Sequence, residues 1–379
     1  MKHLILFCLI TFFLSSCGGG SIHTDESGSS LYKPSYAAGF ALGKEGENRI
    51  LSIKNSWQKG AAGNFRYVIY PRKDSLLHQG KAGHIPWPVQ NAVCLSTTHI
   101  AYLAALDRDS CISGVSGAKY VSNPKIRAAT ASNAIIDVGY EAGLNYETLL
   151  ALHPDVVFAY GISGASNAFL EPLAKLGLQV VYISDYLETH PLGKAEYLLA
   201  FAAFFEPQVI EKAKIQFEDI CHQYTSLKES VRYSVRVKVL LNAPYKDVWY
   251  IPGGDNYLTQ LFEDAGARVL GSRKGIKESH TVSLEQACLY ALEADYWLHP
   301  NAFRTLHALS GHDARFAQMP AFLSGRVYNN TRRNTPQGGS DFWETGVTEP
   351  QLLLADLISI FHPDLLPNHP LKYYEPLNP

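Results

Sequence analysis

Twice along this chain, short apolar strands alternate with helical segments, and a helical stretch over 191–229 separates the two series. The first series holds AVCLS (92–96), helical THIAYLAAL (98–106), CISGV (111–115), DVVFA (155–159), helical NAFLEPLAKL (167–176) and QVVYI (179–183). The second holds VKVLL (237–241), DVWYI (247–251), helical NYLTQLFED (256–264), ADYWL (294–298), RVYNN (326–330) and helical EPQLLLADLISI (349–360). Strands that are apolar on both faces and separated by helices form parallel sheets covered by their crossover helices. The pattern therefore predicts an α/β protein of two Rossmann-like lobes with parallel-type sheets, joined by a long interdomain helix. Ligands of open α/β sheets bind beyond the carboxyl ends of the strands, so the ligand cleft is expected between the lobes.

The 379 residues are enough for two lobes with substantial cores. An apolar fraction of 46% with 18% charged residues belongs to a globular chain, and a net charge of -2 gives no reason to expect nucleic acid as a partner. The N-terminus carries a different signal. Lys2 precedes LILFCLITFFL (4–14), an apolar run of signal-peptide length that ends in LSSC (14–17), the pattern of a bacterial lipoprotein cleavage box. Residues 1–16 are expected as a signal peptide. Cys17 is expected to be the lipidated first residue of the mature chain, and 17–30 a lipid-anchored flexible tether. This reading places the protein in the bacterial cell envelope, facing the periplasm, with a lipid anchor as its only membrane attachment.

The remaining boundaries follow the pattern. Residues 31–85 form an N-terminal β extension, in which alternating RILSI (49–53) and FRYVIY (65–70) suggest a small sheet. Residues 86–190 form the first lobe, 191–229 the helical bridge, 230–365 the second lobe and 366–379 a C-terminal tail. Export permits disulfides, and a bridge between Cys94 and Cys111 is conceivable, whereas Cys221 and Cys288 lie in helical patterns as small hydrophobes. No C-x-x-C spacing is present.

Catalytic grammar is sparse. GVSGA (114–118) lacks the second glycine of a nucleophile elbow. There is no G-x-x-x-x-G-K-[ST] loop, no G-x-G-x-x-G after a strand and no H-E-x-x-H. The chain is read as a binding protein, with an uncharacterised exported enzyme as an alternative. Strand ends nominate the cleft residues. The first lobe offers Ser96, Thr97, His99, Tyr120, Tyr140, Glu141 and Tyr160. The second offers Trp249 or Tyr250, Ser279, His280, Arg332, Arg333 and Trp343. Adjacent strand residues face opposite ways, so only one of Trp249 and Tyr250 can turn to the cleft.

One grammar occurs twice. NYETLLALHPDVV (145–157) and VSLEQACLYALEADYWLH (282–299) each place a capping residue, Asn145 or Ser283, two positions before a glutamate, Glu147 or Glu285. A short apolar helix and a strand then follow.

With CLSTT (94–98), GVS (114–116), GGDNYLTQLFEDAG (253–266) and DFWETGVTEPQLLLADLISIFH (341–362), in this order behind a lipobox, the chain resembles the class III periplasmic binding proteins. These are the substrate-binding components of ABC importers for ferric siderophores, haem and cobalamin. The resemblance runs from about Pro86 to Pro363. It implies that Glu147 and Glu285 dock onto arginines of the importer permease, which works with its ATPase. It also implies that Tyr120, Tyr140, Tyr160 and Trp249 are aromatic ligand contacts. The expected cargo is a small-molecule metal complex, first a ferric siderophore, then cobalamin, then haem; no cofactor of the protein's own is expected, and the protein is expected to be a monomer. Arg332 and Arg333 would suit an oxyanion-bearing complex. A second binding reading is direct capture of zinc or manganese through positions such as His99, His280 and His299, although no His-rich loop supports it.

Overall fold

The computed structural model describes residues 29–54, 64–161, 170, 172–245 and 248–379. The leader, Cys17, most of the tether, much of the helical segment over 167–176 and Asp247 lie outside the described residues.

Two parallel sheets form the lobes. In the first the spatial order is Val180–Tyr182, Val156–Ala159, Ala92–Cys94, Ile112–Val115 and Ile136–Asp137, every pairing parallel. In the second, Ala267–Val269, Val237–Leu241, Tyr296–Leu298 and Val327–Asn329 run parallel, and Glu375–Pro376 adds an antiparallel edge. The central strands are buried throughout, as expected when helices cover both faces. The edge strand draws residues after 365 into the second lobe, where Tyr373 and Tyr374 are fully buried.

Both helices of the bridge, Pro191–Ala202 and Pro207–Ser230, begin with proline, which the first helical position tolerates because its missing N–H would have no intrahelical partner. The first is buried at every position, the behaviour of a helix that is apolar nearly all round. The second buries Val209, Ile210, Ala213, Phe217, Ile220 and Tyr224, a stripe at helical spacing. Val209 to Phe217 belong to the first lobe's core, and Ile220 and Tyr224 to the second's. This 24-residue helix, ~36 Å long at 1.5 Å per residue, therefore spans from one core to the other.

Ahead of the first lobe stands a sheet of Ser29–Tyr32, Phe40–Glu45, Asn48–Ile53, Phe65–Pro71 and His84–Trp87. It is antiparallel except for the last pair. Its apolar face, including Phe40, Leu51, Ile53, Ile69 and Ile85, shares one core with Tyr102, Tyr197 and Phe201. Cys94 and Cys111 are free thiols, both buried. The strand register sets Cys94 beside Val115, at the far end of the neighbouring strand from Cys111. Among the described residues no helix is long and apolar enough to cross a membrane.

Candidate functional site

The seam between the lobes is built by loops that follow strand ends. After Ile112–Val115 the chain turns at Gly117, in the left-handed region at φ 64°. A Cβ there would lie 3.0 Å from the rings of both Tyr120 and Tyr140, so glycine suits the backbone and the approach of the rings. Asp137 pins the loop by accepting from the amides of Gly117, Ala118 and Gly139 at 2.9–3.0 Å. Tyr120 and Tyr140 stand 5.3 Å apart, centroid to centroid, with 37% and 42% of their surface exposed. Tyr140 also hydrogen-bonds the half-buried Tyr160, and burial raises the Tyr140 hydroxyl well above its ordinary value. Three of the sequence-nominated aromatics thus form one wall.

Ser96 caps the helix Thr97–Ala105 through its hydroxyl, and Thr97 opens that helix half-buried. His99 is buried in the core among Phe158, Tyr160 and Phe201, where burial pulls its pKa down to about 3. The nominated Glu141 is exposed beside Tyr140.

Across the seam lies the segment 331–344. Gly339 faces the Tyr120 carbonyl, which a Cβ would approach to 2.8 Å. Arg127 donates to Gln337 at 3.2 Å. Glu344, fully buried on the second lobe, accepts from the Ser122 and Asn123 amides of the first at 2.6 and 2.8 Å. Sequence reasoning missed this latch, since its partners are backbone groups; an acid inside the aromatic run FWE was the available signal. Burial pushes the Glu344 carboxyl up to about 7, although the two amides oppose the shift. Its folded pKa lies above the ordinary 4.5, so the folded chain binds the proton more tightly. The resulting destabilisation is absent below pH 4.5, grows as pH rises and is complete above 7. The difference corresponds to ~3 kcal/mol. In urea unfolding, the parent is expected to lose ~2.5 kcal/mol more stability between pH 5 and 8 than Glu344→Gln does; an equal change in both would reject the assignment.

The remaining nominees divide. Trp343 is 43% exposed beside Phe342 and lines a small hollow with Pro191, Lys194 and Tyr257. Arg332 is exposed, and its side chain has no partner among the described residues. Arg333 donates through Nε to Asp341, so its charge is already paired. The expectation for Trp249 requires correction. Its ring is 0% exposed, packed against Trp297 and Phe316, with Nε1 donating to the Leu241 carbonyl at 2.8 Å. Strand parity turns Tyr250 outward instead, 44% exposed, on a two-stranded ribbon of Trp249–Ile251 with His280–Val282. His280 is half-buried with Nε2 bound to the Gly271 carbonyl, and Ser279 is exposed.

His299 lies in the second lobe's core against Phe262, Phe342 and Tyr374, its pKa pulled to about 3 by burial. His99 and His299 are thus sealed in separate cores. Among the described residues no three His, Cys, Asp or Glu side chains gather to hold a metal.

The two acidic helix starts are built alike. Asn145 accepts from the Thr148 amide at 3.0 Å and caps Tyr146–Ala151; Ser283 accepts from the Gln286 amide at 3.2 Å and caps Leu284–Glu293. Glu147 and Glu285 are both exposed. The backbone amide and the Ser283 hydroxyl hold the Glu285 carboxyl below its usual range. Each helix leads into the strand beside its lobe's first strand, Val156–Ala159 or Tyr296–Leu298.

A family model described as periplasmic binding protein matches residues 93–331. An uncharacterized lipoprotein of Methanocaldococcus jannaschii is 26% identical over 288 residues, 73% of this chain and 66% of that relative's length, just under two thirds of it. Among solved structures, a periplasmic binding protein from Veillonella parvula superposes with a TM-score of 0.58 at 14% identity, over 83% of this chain and 98% of the other. A periplasmic heme binding protein from Pseudomonas aeruginosa gives 0.57 at 19%, over 77% and 99%.

Proposed function

The chain belongs to the periplasmic binding protein family, and from that premise we propose that it captures an anionic metal complex, a ferric siderophore first, and hands it to an ABC importer. The observation that carries this reading is the seam itself. An aromatic wall of Tyr120, Tyr140 and Tyr160 rises on one lobe, and the exposed, unpaired Arg332 belongs to the other. Aromatic faces supply area at low entropy cost, and a free guanidinium grips carboxylate, hydroxamate or catecholate oxygens through charged hydrogen bonds. Trp343 and the outward Tyr250 supply further exposed aromatic surface on the second lobe. Cys17 would hold the protein at the membrane by its lipid, and Glu147 with Glu285 would meet the permease.

The test is a thermal-shift panel of ferric siderophores, haem, cobalamins and divalent metals. A ferric siderophore at a hundred times its Kd is expected to stabilise the protein by ~2.7 kcal/mol. Arg332→Ala is expected to weaken that complex by ~1.5–3 kcal/mol, whereas Arg333→Ala should cost less because Asp341 already pairs the charge. Stabilisation by cobalamin or haem alone would reassign the cargo within the same fold. An unchanged titration for Arg332→Ala would discard the anionic clamp.

A further inference from the structure

The N-terminal sheet lies outside the matched region 93–331, yet it forms a cleft of about 540 Å3 with the start of the helix Pro207–Ser230. Three features of this cleft call for a negatively charged occupant. Arg49 is only 5% exposed and has no carboxylate within ion-pair distance among the described residues; its NH1 donates instead to the Ala203 and Phe205 carbonyls. At contact distance its charge meets only neutral acceptors, with the Glu206 carboxylate acting on it at longer range, so a counter-ion in the cleft would recover part of the desolvation cost. Burial draws the Arg49 pKa down to about 10, so the group remains charged at neutral pH. Its guanidinium lies 4.1 Å from the centre of the Trp87 ring, and the buried indole N–H of Trp87 has no hydrogen-bond partner.

The neighbouring charges do not cancel this surplus. Arg72 is paired with Asp155, Lys73 with Glu47, Glu211 with Lys214 and Glu206 with Arg108. Lys44, exposed at the rim, has no carboxylate within ion-pair distance among the described residues and is the second unmatched cation. The walls are apolar, from Leu31, Pro71, Pro88 and Ile210.

We infer that this cleft is a second binding site, for an amphiphilic anion whose phosphate or carboxylate meets Arg49, Lys44 and the Trp87 indole N–H. Its apolar body would lie on Leu31, Pro71 and Ile210. The site is remote in sequence from the seam and independent of the cargo held there.

The full chain in non-ionic detergent can be titrated with dihexanoylphosphatidate, decanoate, dihexanoylphosphatidylcholine and inorganic phosphate. Calorimetry and the indole N–H resonance of Trp87, identified by its loss in Trp87→Phe, report binding. Saturable binding of dihexanoylphosphatidate or decanoate is expected, with inorganic phosphate at least about tenfold weaker because it buries no apolar surface. Lys44→Gln, an exposed change that leaves the core intact, is expected to weaken the acidic ligand about fivefold. Trp87→Phe is expected to weaken it about tenfold or more. The proposal falls if neither acidic amphiphile saturates, if phosphatidylcholine or inorganic phosphate binds as tightly, or if both variants bind as the parent does.

Discussion

A chain carrying Glu147→Ala and Glu285→Ala together is expected to bind its ligand as before and to deliver none of it. Neither glutamate supports the fold. Both are exposed, the caps Asn145 and Ser283 remain, and the buried residues beneath, Leu149, Ala287 and Ala291, are untouched. Loss of an acid from a first helical turn costs only ~0.3–1 kcal/mol. Against a basic socket the accounting is different. Each glutamate would make charged hydrogen bonds worth ~1.5–3 kcal/mol. The two lie on separate lobes and should add, so the double variant would dock roughly two to four decades more weakly, with each single variant intermediate. Charged contacts of this kind also set orientation, so residual encounters would be misaligned. Transport by the reconstituted importer, beside an equilibrium ligand titration, measures both halves. Normal transport would remove the docking role, and lost ligand affinity would place the glutamates in the binding site instead.

Most strands of both lobes were legible because burial on two faces leaves continuous apolar runs, and the bridge because its prolines mark helix starts. The short strands Ile136–Asp137, Ala267–Val269 and Glu375–Pro376 were not, and Trp249–Ile251, read as part of the second series, pairs in a separate antiparallel ribbon. Side-chain direction was less legible. In DVWYI (247–251) the period of two requires Trp249 and Tyr250 to oppose each other. Nothing local says which faces the core, and packing against Trp297 decides it. The conceivable Cys94–Cys111 bridge depended on register. With Ala92 beside Ile112, Cys111 falls about three residues along from Cys94, ~10 Å at strand spacing, beyond the ~7 Å reach of a disulfide. Least legible were the buried acids. Glu344 meets amides 221 and 222 residues away, and Glu196 meets amides 159 to 161 residues away. Backbone N–H groups carry no residue-type signature, so no spacing or motif announces such bonds.

Glu196→Ala is expected to be strongly destabilising, because one carboxylate fastens the N-terminal sheet to the bridge. Glu196 is 0% exposed on Pro191–Ala202 and has no Lys, Arg or His within ion-pair distance among the described residues. Its charge is met by donors alone. The Tyr32 hydroxyl and the amides of Ser35, Tyr36 and Ala37 donate to its two oxygens at 2.6–2.8 Å. Glu188 continues the clamp, accepting from the Ala38 and Gly39 amides. The fit there is close enough that a Cβ on Gly39 would lie 2.3 Å from the Tyr197 hydroxyl.

Alanine at 196 would strand four donors in a partly buried setting, a loss of ~3–5 kcal/mol by analogy with breaking a buried charged pair. Glutamine keeps the shape and one good acceptor, so about half that loss is expected. Because the damage is confined to where residues 32–39 meet the bridge, the second lobe's amides should keep their hydrogen-exchange protection while those of the N-terminal sheet lose theirs. Uniform loss across both lobes would mean that the sheet is integral to global folding rather than clamped onto it. An alanine variant as stable as the parent would mean that the apolar contact through Phe40, Leu51 and Ile53 holds the sheet unaided.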